Sequence, residues 1–169
     1  MRNSAIGTTS YRIEPSLGLL TVGVAMLVTS CATGADARRG RGAAYQAEFA
    51  TVYNAVLASV RERYPQFSED AATRTVRTAR HPIRFASQSV GSDRRKYYAR
   101  FDIVVSREKP LRVKIWGQAY EWVNGAVPVE LTGAAVPSWL SVRIDALYAA
   151  IYRRLQPYAI KESYSPAAN

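Results

Sequence analysis

The hydrophobic pattern predicts an α+β fold. It is a two-layer sandwich with an antiparallel sheet of three to five strands and an N-terminal and a C-terminal helix packed on one face. Three observations predict it. Two segments, residues 45–64 and 138–155, repeat apolar residues at three- and four-residue spacing. Between them, residues 96–106 and 111–122 alternate apolar and polar positions. The connections are short and carry turn residues, which suits antiparallel hairpins and leaves no room for parallel crossovers.

The first helix is predicted from Phe49, Val52, Tyr53, Val56, Leu57 and Val60, which share one face. Arg61 and Arg63 suit its negative end, and Pro65 favours its termination. Residues 66–71 read as a polar turn and residues 73–80 as a strand of mixed faces. His81-Pro82 interrupts, residues 83–90 form a weak edge strand, and Gly91-Ser92-Asp93 turns the chain.

The clearest strand follows. Tyr97, Ala99, Phe101, Ile103 and Val105 alternate with Lys96, Tyr98, Arg100, Asp102 and Val104. After the turn at 107–110, Leu111, Val113, Ile115, Gly117 and Ala119 alternate with Arg112, Lys114, Trp116, Gln118, Tyr120 and Trp122. Asn124-Gly125 signals a tight turn, so residues 126–131 pair back, with Pro128 marking an edge. Ser138 is placed to cap the last helix, whose buried stripe is Leu140, Ile144, Leu147, Ile151 and Leu155. Arg153, Arg154 and Pro157 mark its end.

The chain has 169 residues, 23 Lys+Arg against 13 Asp+Glu, a net charge of +10 and a single cysteine. That length fits one domain after a leader. The leader has a polar zone with Arg2 and Arg12, an apolar run over residues 17–28, and the small pair Thr29-Ser30 before Cys31. This order is that of a secretory signal. The run is shorter than the roughly 20 residues a spanning helix needs. With no second cysteine the fold cannot use an internal disulfide.

Val28-Thr29-Ser30-Cys31 resembles the lipobox of bacterial lipoproteins. The resemblance implies cleavage before Cys31 and diacylation of its thiol, and it covers only the leader. Two acyl chains meet the requirement for stable anchoring, which a single chain does not. Ala32, where Asp favours inner-membrane retention, points to the outer membrane facing the periplasm. The implied organisation is a signal peptide at 1–30, a flexible tether at 31–44, one α+β domain at 45–160 and a disordered tail at 161–169. The tether is assigned from its Gly and small residues, with Arg38, Arg39 and Arg41 available to an anionic surface.

Two helices cover one sheet face. The other face then presents Tyr98, Arg100, Arg112, Lys114, Trp116, Gln118 and Tyr120 as a candidate binding face. Trp, Tyr and Arg dominate interface hot spots, and cations stack on rings. The partners implied are the membrane, through acyl chains on Cys31, and an envelope protein or anionic envelope component. Export argues against nucleic acid despite the basic charge.

No catalytic set, metal cluster or cofactor motif is present in the sequence. Glu121 and Glu130 are the nearest approach to a carboxylate pair of the kind glycan hydrolysis uses, and the single His81 sits before a proline. The function expected is therefore a non-catalytic accessory module. The alternative is a carrier or sensor of a small lipid or glycan ligand, and an enzyme acting on wall glycans ranks below both.

Overall fold

A computed structural model describes residues 34–84 and 95–160. The leader with Cys31, most of the weak strand at 83–90, the turn at 91–93 and the tail at 161–169 lie outside the described residues.

Alternation in two long strands builds the centre. β5 (Arg95–Val105) and β6 (Leu111–Val123) pair antiparallel in unbroken register, from Arg95 opposite Val123 to Val105 opposite Val113. The odd-numbered residues of both point one way. Phe101, Ile103, Val105, Leu111 and Val113 are buried there. Five shorter strands flank the pair: β1 (Ala44–Tyr45), β2 (Phe67–Asp70), β3 (Thr75–Thr78), β4 (His81–Ile83) and β7 (Val129–Leu131). The order across the sheet is β1-β6-β5-β3-β2, with β4 also on β5 and β7 also on β6.

Two helices, α2 (Phe49–Arg63) and α3 (Ser138–Leu155), lie on the buried face, and helix α1 (34–42) packs against α3. Val52, Val56 and Val60 of α2 and Leu140, Leu147, Ile151 and Leu155 of α3 fill the space above β5 and β6. Gly117 lets α3 come close, because a Cβ there would sit 3.0 Å from the Leu140 side chain. The architecture is the α+β sandwich that the periodicity predicts.

Several details differ from the sequence expectation, each for a local reason. The stretch expected as a flexible tether is, from residue 34, helix α1 packed on α3. Gly40 lies so near α3 that a Cβ there would meet the Tyr148 carbonyl oxygen at 2.7 Å, and Ala37 is 2 % exposed. Arg41 Nε bonds Asp145 at 2.6 Å, and Arg153 Nε lies 3.5 Å from Asp36. Small residues, rather than an apolar stripe, make this contact.

The helix expected from residue 45 begins at Phe49. Ala44 and Tyr45 instead pair with Arg112 and Leu111, and Tyr45 is buried. Residues 66–71 are not simply a turn: Phe67–Asp70 pair with β3 as a polar edge strand, a place where apolar alternation is not needed. His81 and Pro82 are in strand β4, at an edge that tolerates the missing amide of proline. Ser138 does not cap α3. Pro137 occupies the cap position in extended backbone, and Ser138 begins the helix. The Asn124-Gly125 turn is as expected, with φ of +48° and +83°, but only Val129–Leu131 of its return arm pairs.

Candidate binding face

With the odd positions of β5 and β6 under the helices, the even positions form a face that no described helix covers. Opposite residues on this face are Tyr98 with Tyr120, Arg100 with Gln118, Asp102 with Trp116, and Val104 with Lys114. The structure therefore brings Tyr98, Arg100, Lys114, Trp116, Gln118 and Tyr120 onto one surface.

Their roles separate on inspection. Trp116 is the most exposed large aromatic side chain here, at 52 %. Trp is among the residues that most often carry interface energy, so an exposed indole in a sheet centre makes this face a candidate contact surface. Lys114 is exposed beside it. Arg112 is exposed but also donates from Nη1 to the Gly42 carbonyl at 3.2 Å, which ties it to the C-terminal end of α1. Tyr120, expected on the surface, is 4 % exposed. The Arg80 guanidinium covers its ring at 4.5 Å, and its hydroxyl donates to Gln118 Oε1 at 3.3 Å.

A polar line runs across three strands. Arg100 Nε donates to Gln118 Oε1 at 2.9 Å, and Gln118 Nε2 donates to Glu130 Oε1 at 3.1 Å. On the other side Arg77 makes two bonds to Asp102, at 2.7 and 3.1 Å. These bonds hold long side chains in fixed positions, which lowers the entropy lost when a partner binds. Lys96 lies 5.0 Å from the Trp122 ring at the far end. The face carries Lys96, Arg77, Arg80, Arg100, Arg112 and Lys114 against Asp70, Asp102 and Glu130, so its balance of charge is positive.

Glu121 and Glu130 fall on opposite faces. Glu121 lies opposite Tyr97, whose hydroxyl donates to it at 3.1 Å, and Glu130 lies opposite Tyr120 on the open side. A sheet between them prevents joint acid–base work. His81 packs edge-on against Tyr64, ring centroids 5.2 Å apart. Burial and the Arg143 charge both hold its imidazole below its ordinary pKa. Among the described residues no group of three or more His, Cys, Asp or Glu is placed to hold a metal ion. Nor is any described helix long and apolar enough to cross a membrane.

Arg77 and Arg80 belong to this surface but were not legible in the sequence as part of it. Arg77 is set there by pairing opposite Asp102, and Arg80 by a one-residue register shift between β3 and β4, which only the pairing reveals. No family model matches the chain, and no curated protein matches it.

Proposed function

We propose that the chain is a lipid-anchored envelope lipoprotein whose open sheet face docks an acidic surface of an envelope protein, without catalysis. The observation that carries this reading is Trp116, half exposed at the centre of a face lined by Lys114, Arg100 and Arg112, with the described helices all on the other side. A central aromatic ringed by cations suits a partner that offers carboxylates around an apolar pocket.

The anchor reading rests on the lipobox resemblance at Cys31 and gains a geometric consequence from α1. Two residues, Ala32 and Thr33, separate Cys31 from Gly34, the first described residue, a reach of at most about 11 Å. An acylated Cys31 therefore holds the domain against the bilayer. The docking face is then presented at a fixed height, and lateral encounter replaces a long swinging search.

The test is quantitative co-purification from membranes with Arg112→Ala, Lys114→Ala and Trp116→Ala combined. The combined variant is expected to keep its circular dichroism and lose its partner. Arg153→Ala with Arg154→Ala, on the helix side, is expected to retain that partner. An identical partner set for all three proteins, with folds intact, contradicts the docking face.

A further inference from the structure

The junction of β3 and β4 carries chemistry that the docking surface does not use. β3 pairs Arg77 with Asp102, and β4 pairs His81 with Ala99. Three residues, 78–80, thus stand opposite two, 100 and 101, which is a β-bulge. The backbone at the break is satisfied locally. Phe101 N donates to the buried Thr78 Oγ1 at 2.9 Å, and Ala79 N donates to the Gln66 carbonyl at 2.8 Å. The extra residue turns Arg80 onto the open face, over the Tyr120 ring.

We propose that the groove at this bulge is a phosphate-recognition site, which takes the terminal phosphate of a small ester or of a lipid headgroup. Arg77, Arg80 and Arg100 all line it, in a volume of about 630 Å³. Each guanidinium is oriented by a different neighbour: Arg77 by Asp102, Arg80 by the face of Tyr120, and Arg100 by Gln118. Each restraint leaves donors over. Arg100 spends Nε and keeps both terminal nitrogens. Arg80 spends its flat face and keeps its edge. Arg77 keeps Nη1. Such pre-set forks are what bind tetrahedral oxyanions.

Charge decides between anions. Asp102 neutralises Arg77, and among the described residues Arg80 and Arg100 have no carboxylate of their own. Two uncompensated cations match a phosphate monoester, which carries about −1.5 to −2 at neutral pH. A carboxylate needs only one fork. Phosphate alone does not fill the groove, whose size is that of a small-molecule site. Pro65 and Ser68 also line it, which leaves an apolar ring and a hydroxyl for an organic moiety.

Arg77, Arg80 and Arg100 lie on the same open face, but the docking test alters Arg112, Lys114 and Trp116 and this test alters Arg80 and Arg100, so the two readings fail separately. The test titrates the purified full chain with glycerol 3-phosphate, following arginine Nε–Hε resonances. Vesicles of phosphatidylcholine, with and without phosphatidic acid, are assayed in parallel. Saturable shifts are expected at Arg80 and Arg100, and affinity is expected to fall about tenfold or more in Arg80→Gln/Arg100→Gln. Arg153→Gln/Arg154→Gln, with the same loss of charge, is expected to bind as the parent does. If the double variant misfolds, Arg80→Gln alone gives the same comparison, since Arg80 lies outside the paired residues. Saturation by the ester assigns a soluble ligand. Phosphatidic-acid-dependent binding lost in the same variant, without ester saturation, assigns a headgroup. Equal affinity in both charge-matched variants, or absence of both kinds of binding, overturns the site.

Discussion

His81 shows how one side chain is set by what surrounds it. Its ring is half-buried against Tyr64, and Arg143 lies near. Both oppose the protonated form, so the folded chain binds that proton less readily than the unfolded chain does. Stability from this group is full above the ordinary value of 6.5 and is lost as pH falls from there through the lowered folded pKa. Urea denaturation between pH 7 and 5 should show stability falling with acidification, and His81→Gln should flatten that slope. Parallel slopes for the two proteins contradict the assignment. The exposed carboxylates Glu48 and Asp70, both held below their usual values by their partners, act in a lower window. The same sensitivity to surroundings separates Trp116 from Tyr120. Both are aromatic and share a strand face, yet one is half exposed and the other is covered by Arg80.

α1 tests how much a helix owes to its neighbours. It contains Gly34, Gly40 and Gly42 and no apolar stripe, so its stability in isolation is low. Contact at Gly40 and Ala37 and the ion pairs of Asp36 and Arg41 hold it on α3. Gly40→Ala places a methyl against the Tyr148 carbonyl. We expect a loss of about 1–3 kcal/mol in urea denaturation, with amide exchange accelerated over residues 34–42. Unchanged exchange there contradicts close packing as the cause of the helix. This explains what the sequence could show. The β5–β6 hairpin, α2 and α3 are long and strictly periodic, and burial follows that period, so they and the candidate face were legible. α1 was not, because its glycines serve an approach that only α3 defines. The short strands β1, β2 and β4 take their pairing from neighbours, and on composition alone they divide between tether and helix, a turn, and a break before a weak strand. Arg80 joins the surface through a bulge, which is a property of register between two strands and of no single stretch.

The assembled molecule has two unlike sides. α2 and α3 cover one face of the sheet, and the other presents Trp116 among cations. Two residues separate Cys31 from Gly34, so acylation of that cysteine, as proposed, would keep the domain near the bilayer. Everything in the envelope reading depends on that cysteine. The most direct measurement is intact mass and membrane fractionation of the native protein beside Cys31→Ser. The account predicts a mature chain that begins at Cys31, carries acyl chains and fractionates with membranes, and a variant that has lost both properties. An unmodified, uncleaved chain in the soluble fraction contradicts it and would return the basic, aromatic face to consideration as a nucleic-acid surface.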